Sequence, residues 1–239
     1  MASEIGTGRA VRQSFYGYAL ACAVLIVFAG FARTYFLKVF FGTPVLYPLL
    51  HLHGIVMTSW FVLFGAQTWL VQAHRTDLHR RLGIFGVLLA LLILLFGAAV
   101  VTINAREGRV PPGAPAAVIV ALSYMNLLVF GVLVAAALWL RTRSEFHKRL
   151  MLLATISLLS AAISRIPLDF LGDGLLAVFG PVDLFIIACL AYDTWRHRRL
   201  HPAFGWGGLL SIVWPVLGIL MSGLSSWGSF TNWLLAAGT

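Results

Sequence analysis

Long apolar stretches separated by short polar segments make up the chain from residue 14 onward. Several stretches exceed the ~18–20 residues that a helix needs to cross the hydrocarbon core of a membrane. The pattern therefore predicts one membrane domain, residues 1–239, with seven transmembrane helices. These helices are expected over residues 14–40, 47–72, 83–104, 116–141, 149–167, 174–195 and 206–234. Gly and Pro or clusters of basic residues separate them, and Gly and Pro are typical of breaks between helices.

Composition supports an integral membrane protein. Hydrophobic residues make up 60% of the chain and charged residues 10%, whereas a soluble domain carries about 25% charged residues. The net charge of +9 does not indicate nucleic-acid binding, because the basic residues form small clusters rather than one stripe. Such clusters orient membrane helices and attract anionic lipid. We expect a bacterial inner-membrane protein that contacts anionic lipids on the cytoplasmic side, with other membrane subunits as further candidate partners.

The basic residues also predict a direction. The N-terminal tail and the corners at 73–82, 141–149 and 196–200 hold 12 of the 17 Lys and Arg residues. Because basic loops stay in the cytoplasm, the N-terminus is expected inside and the C-terminus outside. The predicted fold is an all-α bundle of seven transmembrane helices, built from helical hairpins, N-in and C-out.

One motif occurs three times, as "LHRRLG" (78–83), "FHKRLM" (146–151) and "RHRRLH" (196–201). Each copy starts or immediately precedes a helix that is predicted to leave the cytoplasm. In one interpretation these side chains lie at the membrane interface and bind lipid: His79, Arg80, Arg81, His147, Lys148, Arg149, His197, Arg198 and Arg199. In the other, a cytoplasmic-side metal or haem site uses His74, His79, His147, His197 or His201.

The segments "HLHGIVMTSW", "HRRLG", "HKRLM" and "YDTWRHRRLHP" resemble a group of bacterial multi-pass membrane proteins without an established activity. The resemblance covers predicted helices two to six and the corner that follows. It implies a multi-pass membrane protein and implies no activity. The His-rich helices also resemble membrane b-type cytochromes, although the helix interiors show no pair of facing histidines at equal depth.

Polar residues from five predicted helices fall in the outer half of the membrane. An ionisable side chain at the centre of a lipid-facing helix costs roughly 2.5–3.5 kcal/mol on insertion scales, so such residues tend to face protein or a cavity. The predicted ligand pocket contains His53, Asp183, Asn126, Tyr124, Arg33 and Arg165. Gly54 beside His53 is expected to allow a close approach by a neighbouring helix or ligand.

Three interpretations of this polar group fit the sequence. His51, His53 and Asp183 offer imidazole and carboxylate ligands suited to zinc or non-haem iron. The group could instead hold a small polar ligand or the head of a quinone or lipid. In the structural interpretation, Asp183 pairs with Arg33 or Arg165. A further pair, Asp193 with His197, is expected from their spacing of four residues on one helix.

The first functional interpretation is a non-enzymatic protein: an accessory subunit of a membrane complex, or a ligand-binding protein with a polar pocket in the outer half. The alternative is a redox, metal-binding or haem-binding membrane protein that uses the same histidines. A small transporter is the third interpretation, supported by the repeated motifs and the intramembrane Asp183.

Overall fold

A computed structural model describes residues 2–42, 45–110, 115–167 and 174–236, with side chains from residue 15 onward. Every regular element in these residues is helical. The helices are α1 (Ala2–Phe31), α2 (Pro48–Gln72), α3 (Thr76–Arg106), α4 (Ala116–Trp139), α5 (Ser144–Ser157), α6 (Ser160–Ile163), α7 (Leu175–His197), α8 (Pro202–Ser222) and α9 (Ser225–Ala236). A π-helical turn, Ala32–Phe36, and a 3₁₀ turn, Lys38–Phe41, follow α1.

Seven helices among the described residues are long and apolar enough to cross a membrane, with α5 and α6 together forming one span. The predicted all-helical architecture is therefore confirmed, with seven helices of the length and composition that membrane spans need. The N-in and C-out direction stays a prediction, and so does the grouping into hairpins.

The helices that carry the first two copies of the basic motif begin earlier than the apolar pattern predicts. α3 begins at Thr76 rather than 83, and α5 at Ser144 rather than 149. The basic motifs are therefore helical, and each helix carries an acidic residue in its first turn, Asp77 and Glu145. A negative charge there is stabilised by the partial positive charge of the helix N-terminus.

The ends of the chain differ from the prediction as well. The expected last helix is divided at Gly223 into α8 and α9, and α1 already begins at Ala2. The side chains of Arg9 and Arg12 lie outside the described residues. Residues 43–44, 111–114 and 168–173, which belong to three predicted breaks, also lie outside the described residues.

Side-chain contacts define two ends of the bundle. At the basic end, formed by residues 73–82, 140–149 and 196–201, the ring of His79 meets that of His147 and Phe146 meets His201. The far end is formed, among the described residues, by 33–42, 45–47, 102–110, 115–117, 163–167 and 174–175. At this end α9 packs against α3 and α4. There Trp227 Nε1 donates to the carbonyl of Ala117 at 3.0 Å. α9 has 12 residues and is about 18 Å long, too short to cross the hydrocarbon core.

The span formed by α5 and α6 occupies the centre of the bundle. Of the 18 most apolar consecutive residues in this span, 72% are buried, whereas the corresponding fraction in α3 is 17%. Trp60 Nε1 on α2 donates to Thr155 Oγ1 on α5 at 3.2 Å, and its ring meets Phe130 of α4 edge-on. Since this span carries the buried Arg149, Thr155, Ser157 and Ser160, a central position keeps its polar groups away from lipid.

Candidate functional site

A tight helix crossing forms the site at the far end. Gly30 of α1 lies against Ala162 of α6 so closely that a Cβ at Gly30 would be 2.8 Å from the Cα of Ala162 and would overlap its carbonyl. Both helices run toward the far end. Arg33 and Arg165, each three residues beyond its contact residue, therefore emerge side by side.

The two arginines line one cavity of about 380 Å³, which we call the arginine cavity. Thr34 and Phe41 complete its described lining. The Arg33 guanidinium lies 5.3 Å from the centre of the Phe41 ring, and that of Arg165 lies 4.8 Å from the centre of the Phe31 ring. Arg165 also donates to the carbonyl of Ala161. The described lining thus contains two guanidinium groups, one hydroxyl and one aromatic ring.

Two polar atoms near the arginines are buried and without a hydrogen-bond partner: Thr34 Oγ1 and His53 Nδ1. Helical threonines commonly donate to the carbonyl four residues back, as Thr68, Thr102, Thr155 and Thr231 do here. Thr34 lies in the π-helical turn and makes no such bond, and neither does Thr194. His53 on α2 lies near enough to Arg165 to be affected by its charge. The Thr34 hydroxyl therefore supplements the two guanidinium groups of the cavity, and the His53 imidazole lies outside its described lining.

The structure places the other predicted pocket residues elsewhere. Tyr124 shares a hydrogen bond of 2.7 Å with Thr102, and Asn126 Nδ2 donates to Ser160 Oγ at 3.1 Å. Asp183 lies half-buried on α7, and no described basic side chain pairs with it. The predicted ion pair of Asp183 with Arg33 or Arg165 is thus not formed. Of the six predicted residues, Arg33 and Arg165 share the cavity, and His53 lies close to Arg165.

The three residues of the metal hypothesis do not come together. Within the described parts of the chain, no group of three or more His, Cys, Asp and Glu side chains could hold a metal ion. His51 packs against the ring of Tyr35 at 5.7 Å, and that ring crosses α2 at Gly54. The close approach predicted at Gly54 is confirmed, since a Cβ there would lie 2.9 Å from the tyrosine ring.

The structure corrects the predicted lipid contact of Arg149. This side chain is 1% exposed, and it donates from Nη2 and Nε to both carboxylate oxygens of Asp193 at 2.7 and 2.9 Å. Its Nη1 lies 2.6 Å from Glu145, which also binds Lys148. Asp193 Oδ1 is 3.3 Å from His197 Nδ1, which confirms the predicted pair on α7. Arg149 is therefore an internal link between α5 and α7.

The remaining motif residues stay near the surface of the basic end. Arg80, Arg81, Arg198 and Arg199 are exposed, so their predicted lipid contact stays a prediction. The rings of His79 and His147 lie 6.3 Å apart and perpendicular. His147 Nδ1 lies 2.9 Å from the carbonyl of Ala137, while His79 Nδ1 is buried without a partner.

Two titratable groups lie at the ends of the helices, outside the spans. Burial lowers the pKa of His201, and the charge of Arg149 lowers it further, while Asp193 and Glu145 act in the opposite direction. The neutral ring suits its role, because His201 Nδ1 accepts a hydrogen bond from the Ala203 amide and caps α8. At the far end, burial raises the pKa of Tyr47.

Sequence reasoning missed three contributors to these two sites. Thr34 lines the arginine cavity, Gly30 forms the helix crossing beside it, and Asp193 is the partner of Arg149. For Gly30 and Thr34 the available signal is their spacing around Arg33 at the end of an apolar stretch. For Asp193 the signal is an acidic residue inside an apolar span, which needs a partner.

The chain matches no protein-family model, and neither a curated protein nor a solved structure shows significant similarity to it. The class of the protein therefore rests on its fold. Its seven apolar helices fit a polytopic membrane protein.

Proposed function

We propose that this protein is a ligand-binding membrane protein that recognises an anionic group in the arginine cavity. The observation that carries the proposal is the meeting of Arg33 and Arg165, from two helices far apart in sequence, in one cavity. Guanidinium groups form strong charge-assisted hydrogen bonds with carboxylates and phosphates.

Three further features support an anion at this position. The hydroxyl of Thr34 is a hydrogen-bond donor without a protein acceptor. His53 offers a second ring nitrogen nearby. Phe31 and Phe41 cover one face of each guanidinium, which reduces its hydration and strengthens its attraction for an anion. Under the predicted orientation this cavity faces the outer side of the membrane.

The test measures thermal unfolding of the purified full chain in a neutral detergent with increasing inorganic phosphate, at constant ionic strength set with chloride. A bound ligand stabilises the folded state in proportion to the logarithm of its concentration above Kd. We expect phosphate to raise Tm in the wild type and to have little effect in Arg33→Gln and Arg165→Gln.

Arg109→Gln is the matched control, because Arg109 lies at the same end but pairs with Glu107 at 2.6 Å and stacks on Tyr47. This variant should respond to phosphate as the wild type does. An equal response in Arg33→Gln, Arg165→Gln and Arg109→Gln would reject the arginine cavity as the anion site.

A haem or metal function is the second candidate, and the contact between His79 and His147 favours it. Metal-binding histidines usually donate their other ring nitrogen to a carbonyl or carboxylate, and His147 Nδ1 has such a partner in Ala137. An absorption spectrum of protein produced with added haem tests this. A Soret band that is lost in His147→Ala and kept in His74→Ala, in an exposed loop, would support it, and its absence from the wild type would reject a haem.

A further inference from the structure

The helix α9 runs across the far end of the bundle and joins the ends of two spans. Near its start, Trp227 Nε1 donates to the carbonyl of Ala117, the second residue of α4, at 3.0 Å. Near its end, the carbonyl of Leu234 accepts a hydrogen bond of 2.7 Å from Nε of Arg106, the last residue of α3. Trp227 and Leu234 are seven residues apart, or about 10 Å along a helix. Because Ala117 and Arg106 both lie where their spans end, α9 lies across these spans and not along them.

The side chains of α9 form three faces, which point roughly 100–140° away from one another at 3.6 residues per turn. The first face packs on α3 and α4 and consists of Trp227, Thr231, Leu234 and Leu235. The second face is exposed and aromatic, with Phe230 and Trp233, and Ser226 lies one turn earlier on the same side. The third face is exposed and polar, with Ser225, Ser229 and Asn232.

The aromatic face continues a row of rings that starts at the bundle. The ring of Phe230 lies 5.1 Å from that of Trp227 and 6.0 Å from that of Trp233. Trp is enriched where a membrane meets water, because its ring is apolar and its N–H is polar. A helix that lies in this layer needs an apolar face toward the acyl chains and a polar face toward water. The two exposed faces of α9 meet both requirements.

The exposed area of the aromatic face is small. A fully buried aromatic side chain contributes about 150–250 Å², so rings that are 37% and 63% exposed offer at most about 250 Å² together. A specific protein interface takes about 800 Å² from each partner. Lipid has no such requirement, since each ring can insert among headgroups by itself. The size of the face therefore favours lipid over a protein partner or a second copy of the chain.

We propose that α9 is an interfacial helix whose partner is the headgroup and glycerol layer of the leaflet at the far end. This layer covers Phe230 and Trp233, while Ser229 and Asn232 face water. Because α9 contains no charged residue, the contact does not require an anionic lipid. The hydrogen bonds from Trp227 and Arg106 transmit this anchoring to α4 and α3. The inference is independent of the proposed anion binding in the arginine cavity.

The test uses spin labels on single cysteines of the full chain in phosphatidylcholine vesicles, with the native cysteines removed as Cys22→Ala and Cys189→Ala. Collisions with oxygen report exposure to lipid, and collisions with a water-soluble nickel chelate report exposure to water. We expect the ratio of oxygen to nickel accessibility to be several times higher for Trp233→Cys than for Asn232→Cys. These two neighbours lie at the same end of the bundle, so the difference reports the face and not the depth.

Two further labels check the protein and the depth. Phe230→Cys and Ser229→Cys repeat the comparison about one turn earlier, so the result does not depend on one substitution of Trp233. A label at Leu209, which is 64% exposed on the span α8, should have a higher ratio than the label at 233, because it lies inside the hydrocarbon core and α9 at its border.

Three results would overturn the inference. Equal ratios on the two faces would show that α9 lies wholly in water or wholly in lipid. Protection of positions 230 and 233 from both reagents would show that a protein partner or a second copy covers the aromatic face. A lipid signal at position 233 that requires added phosphatidylglycerol would show that charge, and not the aromatic rings, brings α9 to the membrane.

Discussion

α3 and α5 begin with nearly the same sequence, but α3 lies at the surface of the bundle and α5 lies at its centre. Thr76-Asp77-Leu78-His79-Arg80-Arg81-Leu82 and Ser144-Glu145-Phe146-His147-Lys148-Arg149-Leu150 are the first seven residues of the two helices. In each helix the histidine is the fourth residue. Yet Arg81 is exposed, and Arg149 is buried against Asp193. The motif therefore specifies how a helix begins, while the neighbouring helices decide what its arginine does.

The rest of each helix explains the difference. α3 is almost entirely apolar and can face lipid at no cost, so it lies at the surface of the bundle. The span of α5 and α6 carries hydroxyl groups and a charge, so it is shielded by other helices. In these two helices the more polar segment is the more buried one, the reverse of a soluble protein, because lipid is as apolar as the helix surface.

Removal of the buried arginine should have the largest effect and should distinguish the two motif copies most clearly. We expect Arg149→Met to lower the free energy of unfolding by about 3–5 kcal/mol, because it leaves the buried Asp193 without its cation. Arg81→Met should change it by less than about 0.5 kcal/mol, as is usual at exposed positions. Unfolding by SDS in mixed micelles measures both.

A double variant separates lost charge pairing from lost packing. Arg149→Met with Asp193→Leu should recover most of the stability, since a well-packed apolar pair can replace a buried ion pair. A double variant as unstable as Arg149→Met alone would show that packing or Glu145, not the unpaired carboxylate, accounts for the loss.

The packing around the two helices should differ by a smaller amount. A Cβ at Gly207 of α8 would lie 2.8 Å from Leu153 and 3.2 Å from Leu150, both fully buried on α5. Gly207→Ala should therefore destabilise the fold by about 1–3 kcal/mol through overpacking. On α3, a Cβ at Gly83 meets its nearest atom at 3.8 Å. Gly83→Ala should be neutral or stabilising by up to about 1 kcal/mol.

Thermal unfolding of the two alanine variants in parallel provides this measurement. Destabilisation by Gly83→Ala to the same extent as by Gly207→Ala would contradict the surface position of α3.

The smallest expected effect is a pH dependence at the corner beside α5. Because the pKa of His201 is lower in the folded chain than the unfolded value of about 6.5, the unfolded chain takes up more protons as the pH falls below that value. The contribution of the neutral His201 ring to the free energy of unfolding is therefore complete above about pH 6.5. It is lost as the pH falls from there toward the lower pKa of the folded chain. Protonation of Nδ1 would also remove the α8 cap, which is worth about 1 kcal/mol.

His201→Asn keeps an acceptor for the Ala203 amide and does not titrate. Compared with the wild type, it should lose less Tm, by up to a few degrees, between pH 8 and pH 5. Parallel Tm curves for the two proteins would exclude His201 as the cause of any loss at low pH.

The sequence predicted the seven spans because crossing a membrane needs a run of apolar residues, which is a local property. It also indicated that Arg33, His53 and Arg165 fall at one depth, since alternating spans fix which residues lie near each end. It did not predict that Asp183 lies apart from the arginines. Depth leaves the angular order of the helices open, and that order depends on contacts such as Gly30 with Ala162.

The burial of Arg149 could not be read from the motif, because "HRRL" and "HKRL" are chemically equivalent. The difference arises from Asp193 on another helix. The division of the last predicted helix was missed for another reason. The segment around Gly223, "SGLSSWGS" (222–229), is rich in Gly and Ser but has no Pro and no charged residue, so the hydrophobic pattern assigns it to the last apolar stretch.

The link between Arg149 and Asp193 has a consequence for how the chain is made. During synthesis α5 reaches the insertion machinery before α7, and at that time its arginine has no carboxylate on α7 to pair with. At that stage only Glu145, four residues earlier on α5, can pair with Arg149. An arginine costs about 2.5–3.5 kcal/mol on insertion scales at the centre of a helix, and less near an end. We therefore expect α5 to wait beside the translocon, next to α4, and to enter the bilayer fully only when Asp193 arrives.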